Sequence, residues 1–217
     1  MKYPEESPFF KWDKPFVQLE TTRGCFNTCA FCVSGGEKPV RYQSIGQVAS
    51  RLENIYAHGI KDIRVLDRTF NYDTGRACEM LDIFEQYAGK MRFHLEIHPA
   101  LLPPNVREML ATLPTGLLHL EAGMQSLRQE VLDRSQRKGT LAQGLDGLQY
   151  LCSLPNLITH ADLIAGLPYE TPETFEKSFN DVFSLGGEDL QLGFLKILDG
   201  APMSSNKHGA VFSSEPP

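Results

Sequence analysis

The 217-residue sequence has no apolar run long enough to cross a bilayer, and its start, Met1-Lys2-Tyr3-Pro4-Glu5-Glu6, lacks the apolar stretch of a secretion signal. A cytoplasmic location with no membrane contact is therefore expected. A basic surplus is also missing. There are 21 Lys and Arg against 27 Asp and Glu, a formal net charge of -6, and no strongly cationic stretch. Such a surface has no general electrostatic grip on a phosphate backbone, so nucleic acid is not an expected partner. Cysteine is scarce at five residues, yet three crowd into Cys25-Phe26-Asn27-Thr28-Cys29-Ala30-Phe31-Cys32. An odd trio cannot pair off as disulfides, and no second C-x-x-C pair follows to complete the four-ligand shell of structural zinc. Three thiolates can instead hold a four-iron cluster, leaving one iron open to a group that is not protein. A zinc clip or free core thiols is the plainer alternative.

What is present is a regular alternation. With 41% hydrophobic residues the chain can bury one sizeable core. Residues 1–15 read as an irregular extension with Phe9, Phe10 and Trp12 packed on the domain edge, 16–200 as the core domain, and 201–217 as a tail opening a further region. Strands are expected at Phe16–Glu20, Ile63–Asp67, Met91–Ile97, Leu117–Ala122, Leu157–Ala165 and Leu190–Leu198. Between them come helices announced by their caps. Ser44-Ile45-Gly46-Gln47 opens one with Ile45, Val48, Leu52 and Ile55 on a stripe, closed at Gly59. Asp73 or Thr74 caps a second, Pro103-Pro104 starts a third, residues 125–152 form a broken helical region, and Thr171-Pro172-Glu173 opens the last. Cys78 and Cys152 fall on helix stripes, where a small buried hydrophobe is the better reading. Six strands alternating with helices indicate an α/β fold with a parallel sheet, either doubly wound or curled towards a barrel.

The charges decide between them. Each expected strand carries one charged residue in its second half: Glu20, Asp67, Glu96, Glu121, Asp162 and Lys196. A lone buried charge costs several kcal/mol, so six must gather around water, one another or a cationic ligand. The mouth of a barrel gathers them. Two residues earlier, on the same face, stand Gln18, Val65, His94, His119, His160 and Phe194, so three strands repeat His-x-Asp/Glu. The histidines are read as interior hydrogen-bonding groups in preference to metal ligands. Six units are too few for a closed eight-stranded barrel, so a partial (β/α)6 TIM-type barrel is expected, its first loop lying across the mouth.

The motif C-x-x-x-C-x-x-C, with Phe31 before the last cysteine, resembles the signature of radical S-adenosylmethionine (SAM) enzymes. Glu121-Ala122-Gly123-Met124-Gln125-Ser126 resembles the family's G-x-Q-S turn, and Asp162 to Glu170 resembles its fifth-strand G-x-I-x-G-x-x-x-E element, with Asp162 in place of the first glycine. Asp67-Arg68-Thr69-Phe70-Asn71 and Leu190 to Lys196 resemble the subgroup whose members carry an N-terminal cobalamin-binding domain. The resemblance implies that Cys25, Cys29 and Cys32 ligate three irons of a 4Fe-4S cluster and that SAM chelates the fourth. Reductive cleavage would then give a 5'-deoxyadenosyl radical, used for cobalamin-linked methyl transfer or rearrangement. Methylthiotransferase-like and porphyrinogen-oxidase-like reactions, or a non-catalytic electron-transfer role, are the alternatives.

It also implies that Phe31 contacts the cofactor, that Glu121, Gln125 and Ser126 serve the ribose and methionine ends of SAM, Arg137 its carboxylate, and Ile164, Gln191 and Gly193 its adenine. Arg68, Asn71, His98 and Lys196 are left as polar groups for a small-molecule or peptide substrate. Two family features have no counterpart. Gly-Gly-Glu after the second strand is replaced by Leu66-Asp67-Arg68-Thr69, so Asp67 or Thr69 is expected to take the SAM amino group; Ser34-Gly35-Gly36-Glu37, which follows the cysteines, does not inherit that role. No D-x-H-x-x-G motif occurs, so cobalamin belongs to the full-length protein, of which this chain is expected to be the catalytic core. A reductant such as flavodoxin or ferredoxin is the implied electron donor.

Overall fold

All six expected strands form, and they pair in parallel. A computed structural model describes residues 3–8, 10–35 and 37–205. In chain order the elements are β1 (Val17–Leu19), β2 (Thr22–Arg23), β3 (Arg41–Tyr42), α1 (Ile45–Ala57), β4 (Asp62–Val65), α2 (Thr74–Glu85), β5 (Arg92–Ile97) and α3 (Pro104–Thr112). They continue with β6 (Leu118–Gln125), α4 (Gln129–Arg134), α5 (Leu141–Cys152), β7 (Ile158–Ala165), α6 (Pro172–Phe183) and β8 (Asp189–Phe194). The main sheet runs β1-β4-β5-β6-β7-β8, and β2 pairs with β3 in a separate antiparallel ribbon. This is an α/β partial barrel, open between β1 and β8.

Local chemistry sets the helix starts. Ser44 accepts from Gln47 N while the Gln47 side chain accepts from Ser44 N, and Thr140 forms the same reciprocal cap with Gln143. Thr171 caps α6, with Pro172 pre-set for the first turn. The stripes of α1 (Val48, Leu52, Ile55) and α2 (Ala77, Met80, Leu81, Phe84) meet Val17, Leu19, Ile63, Val65, Phe93, Leu95, Leu118 and Leu120 in one core. Each fully buried side chain of this size contributes about 1.5–3 kcal/mol. Strand alternation then presents His94, Glu96, His119, Glu121, His160 and Asp162 to the opposite, half-exposed face.

Three expectations about strand ends are corrected. β1 stops at Leu19 and β4 at Val65, so Glu20 and Asp67 lie beyond their strands. In β4 the register pairs Arg64, not Val65, with His94, and Val65 faces the helical core. Asp67 is therefore not part of the polar ladder. β8 ends at Phe194, leaving Lys196 exposed in the segment that follows. The antiparallel ribbon brackets the cysteine loop and was not expected. Its strands are only two residues long, too short to leave a periodic signal.

At the N-terminus, a short 3-10 turn carries Glu5, which forms a buried ion pair with Arg51 of α1. Trp12 stacks on His58 at 3.8 Å, and Phe10 meets Trp12 edge-on. Phe9, Gly36 and most of the expected tail, 206–217, lie outside the described residues.

Candidate functional site

The loop from Gly24 to Val40 is closed at its base by Cys25 N donating to the Glu37 carbonyl. Its far side is fastened to the segment after α4. Ala30 N donates to the Ser135 carbonyl, Thr28 Oγ1 to the Gln136 carbonyl, and Lys138 N to Asn27 Oδ1. Met203 N reaches the Ala30 carbonyl from the other end of the core. The thiols of Cys25, Cys29 and Cys32 are all free, with Cys29 buried and the other two half-buried; Phe31 is half-buried beside Cys32. Asn27, at 3% exposure the loop's polar anchor, was missed from the sequence; a small amide in a turn is its only local signal.

Three free thiols on one loop, with the Arg137 guanidinium beside Cys29, fit the three-cysteine ligation of a four-iron cluster. Gly35 completes the cradle, since a Cβ at that position would stand 2.6 Å from the Cys29 carbonyl oxygen and 3.1 Å from that of Cys32.

Facing the loop across the strand ends is a cleft of about 100 Å³ lined by Arg68, Thr69, Glu96, His98, Glu121, Gly123, Gln125, Arg137 and Asp162. Arg137 links the two sides. Its guanidinium stands 3.9 Å from Cys29 Sγ and donates to the Gly123 carbonyl. The Cys25 sulfur is 4.0 Å from Thr69 Oγ1. A bulge at Gly123 to Gln125, with Gln125 at φ 70°, turns the Gln125 side chain back towards Gly123 and into the cleft. A larger hollow of about 890 Å³ lies under the N-terminal segment at the β1 edge, and none of the three cysteines lines it.

Electrostatics divides the carboxyl groups. Glu121 is held below its ordinary range, first by its hydrogen bond with His94 at 3.2 Å. Asp162 is pushed up to about 8, first by burial and then by the Glu121 and Glu96 charges. Burial, followed by Glu121, also raises Glu96, which lies 3.9 Å from Arg68. The cleft therefore sets a carboxylate beside a carboxylic acid at neutral pH, with two guanidinium groups in reach. Burial and then the Arg137 charge lower His98 to about 3, so its ring is neutral. Burial pushes the Cys29 thiol up, and the Arg137 guanidinium pulls against it.

Some expected site residues are spent elsewhere. Asp67, 1% exposed, accepts from Thr21 N and Thr22 N at 2.7 and 2.8 Å and also takes the Thr21 hydroxyl, so both its oxygens are engaged away from the cleft. Asn71 is buried and clamps the chain after β5, its amide donating to the His98 and Leu101 carbonyls and accepting from His98 N. No atom of it is left for a substrate. Ser126, fully buried, donates to Glu170 Oε1 at 2.6 Å and accepts from Arg128 N, which makes it a support for the turn. Ile164 and Gly193 pair across β7 and β8, and Gln191 pairs with Asp162; of these only Asp162 lines the cleft.

A parallel α/β barrel core with its polar cleft at the C-terminal strand ends and a three-thiol loop over that cleft defines an iron-sulfur enzyme core. The chain belongs to the Radical SAM superfamily, whose sequence profile matches residues 19–182. Members of this family work with a 4Fe-4S cluster and SAM. The chain is 28% identical over 172 residues to the ribosomal protein uS12 methylthiotransferase RimO of Moorella thermoacetica, covering 75% of this chain and 40% of RimO. It is 24% identical over 221 residues to the tRNA-2-methylthio-N(6)-dimethylallyladenosine synthase of Pseudoalteromonas atlantica, covering 93% and 45%. The fold matches that of the radical SAM methyltransferase TsrM from Kitasatospora setae with a TM-score of 0.75 at 19% identity, over 87% of this chain and 38% of TsrM. TsrM has also been solved with cobalamin and a [4Fe-4S] cluster bound. The chain thus spans less than half the length of these relatives. Among the described residues, no helix is long and apolar enough to cross a membrane.

Proposed function

We propose that this chain is the radical-generating core of a larger enzyme, with Cys25, Cys29 and Cys32 as ligands of the cluster and the neighbouring cleft as the seat of SAM. A 4Fe-4S cluster held by these thiols would supply the electron for reductive cleavage of the SAM sulfonium. The observation that carries the reading is Arg137, whose guanidinium spans from Cys29 Sγ to the Gly123 carbonyl at the foot of the cleft. A cation beside the open side of a three-thiol loop suits an amino-acid carboxylate. Thr69, next to Cys25, takes the place of Asp67 as the contact for the amino group, because Asp67 is engaged by Thr21 and Thr22. Glu121 and Gln125 suit ribose hydroxyls, and Ser126 with Glu170 keeps the Gln125 turn in shape. Arg68 and neutral His98 remain for the substrate, and exposed Lys196 lies near the β8 end of the mouth.

For the full-length protein the reading is cobalamin-linked methyl transfer to a small molecule or peptide, supported by the fold likeness to TsrM and by the Asp67 to Asn71 and Leu190 to Lys196 stretches. Methylthio transfer is the second reading, favoured by the sequence relatives at 24 and 28% identity. The core assignment is tested by anaerobic reconstitution and reduction followed by assay for 5'-deoxyadenosine. Its release from SAM is expected, and a reduced, SAM-binding cluster that never cleaves SAM overturns the enzyme reading. On the full-length protein, SAM labelled at the methyl carbon distinguishes the two transfers by the mass added to product, with or without sulfur.

A further inference from the structure

Below the cleft, towards the N-terminal ends of the strands, lies a second group of side chains that the radical chemistry does not use. His119 and His160 project from neighbouring strands β6 and β7 onto the polar face, and Asp189 opens β8 opposite His160 in the register. Their ring nitrogens and a carboxylate oxygen all lie within 4.8 Å of one another, and His119 Nε2 is 4.0 Å from Asp189 Oδ2. We propose that His119, His160 and Asp189 form a binding site for one divalent first-row transition-metal ion on the barrel floor.

Two observations carry this beyond a chance cluster. First, the Nε2 atoms of His119 and His160 are buried and have no hydrogen-bond partner, and the same holds for Asp162 Oδ1, 3.2 Å from His160 Nε2 but misaligned with it. Six buried polar side-chain atoms lack a hydrogen-bond partner among the described residues; two belong to the proposed ligands and a third, Asp162 Oδ1, lies beside them. Buried polar atoms are ordinarily satisfied, so two orphaned imidazole nitrogens on adjacent strands, both facing the Asp189 carboxylate, point to a missing shared partner. Second, the neighbouring His94 is satisfied by Glu121 while its ring stacks on His119 at 4.3 Å. The stack fixes the His119 ring plane, as an orienting neighbour does for a ligating imidazole.

Two imidazoles and one carboxylate suit zinc, ferrous iron or a similar ion, and three protein ligands leave a coordination position open. Bonds of about 2.0–2.2 Å would bring the ligand atoms to about 3.4 Å from one another, a contraction of at most about 1.4 Å from the present separations. Asp189, exposed at the start of an edge strand, can make that adjustment, and it provides the way in from solvent. One residue pair further along the strands, a backbone step of about 7 Å, stand Glu121 and Asp162 of the cleft, and Asp162 Oδ1 comes within 3.2 Å of His160 Nε2. A group bound at the open position would therefore face the reaction chamber from below.

The test uses the full chain, reconstituted anaerobically so that the cysteines are occupied, dialysed against zinc chloride and analysed for zinc and iron. One zinc per chain is expected. His119→Gln, His160→Gln and Asp189→Asn should each lower zinc affinity at least about tenfold, while His58→Gln, whose ring stacks on Trp12 at the N-terminal edge, should keep it. Because a variant could fail to fold, diffraction at the zinc edge on the unmodified chain gives a second measurement. An anomalous peak within bonding distance of His119, His160 and Asp189 supports the site. Equal zinc content in the unmodified chain and His160→Gln, or a peak placed elsewhere, overturns it. Neither readout depends on SAM cleavage, so failure here leaves the core assignment standing and the reverse also holds.

Discussion

Arg137 reaches Cys29 across 108 residues of sequence, its guanidinium 3.9 Å from the sulfur and hydrogen-bonded to the Gly123 carbonyl. One cation thereby touches the thiol loop and the strand-end cleft at once. Arg137→Met removes the charge while keeping much of the volume. A charge-assisted hydrogen bond lost to a ligand costs about 1.5–3 kcal/mol, so SAM affinity should fall roughly 10- to 100-fold. Iron content should stay near that of the unmodified chain, and Arg137→Lys should recover part of the binding. Equilibrium dialysis with labelled SAM on the reconstituted protein measures this; unchanged affinity in Arg137→Met would remove the arginine from the site.

Asp67 provides the contrast, a charged residue in the right stretch of sequence with a structural task. It gathers two buried amides and a hydroxyl from Thr21 and Thr22, tying the exit of β1 to the exit of β4. Asp67→Ala orphans those donors and should destabilise the chain by about 2–5 kcal/mol in urea unfolding. Asp67→Asn keeps an acceptor for the amides and should cost less than half as much. Neither change should alter SAM affinity beyond about twofold once the protein is folded. A large loss of SAM binding in stable Asp67→Asn would return this residue to the cofactor site.

The sequence made the frame legible because the frame is local. Caps such as Ser44 with Gln47 and the stripe Val48, Leu52, Ile55 are written within one or two turns, and the His-x-acid repeat on β5, β6 and β7 exposes the polar face through period-two alternation. What could not be read depends on partners far away in sequence. The fate of Asp67 is decided by where β4 stops and by threonines 45 and 46 residues earlier. Asn71 has the composition of a substrate contact, but carbonyls 27 and 30 residues later consume its amide. Lys196 lies off the strand for a local reason: β8 ends at Phe194, before the alternation reaches it. The histidine ladder was read as interior hydrogen-bonding groups, and only the geometry reveals that His94 Nε2 bonds Glu121 while the Nε2 atoms of His119 and His160 make no hydrogen bond.

His98 sets an acid limit on the core. Its folded pKa is lowered to about 3, first by burial and then by Arg137, against an ordinary 6.5. The unfolded chain therefore binds a proton between those values that the folded chain refuses. The stability this contributes is complete above pH 6.5 and declines as pH falls towards 3, by about 1.4 kcal/mol per pH unit at its steepest. Urea unfolding at pH 7.5, 6.0 and 5.0 should show a shallower decline in His98→Asn, whose side chain can still accept from Ala100 N as Nδ1 does. Comparing variant with unmodified chain isolates this group from other titrating histidines. Parallel pH profiles would show that His98 is charged in the fold.

Gly35 tests whether the cradle around the thiols is built for its cargo. A methyl group at this position would approach the Cys29 carbonyl oxygen to 2.6 Å and the Cys32 carbonyl oxygen to 3.1 Å, both backbone atoms that cannot swing aside. The same backbone carries Gly35 N to the Cys32 carbonyl and Cys32 N to the Cys29 carbonyl, so relief of the clash must open these turns. That movement re-aims Cys29 and Cys32 while leaving the sheet and the α1 and α2 packing untouched. Gly35→Ala should therefore reconstitute with less than half the iron and sulfide of the unmodified chain, and its thermal unfolding without cluster should shift by only a few degrees. Exposed Gly59, where a Cβ meets nothing within 4 Å but φ is +80°, supplies the control. Gly59→Ala strains a helix end, at about 1 kcal/mol, with no effect on iron. Full iron loading in Gly35→Ala would mean that the loop tolerates a wider turn and that the thiols, not the cradle, determine assembly.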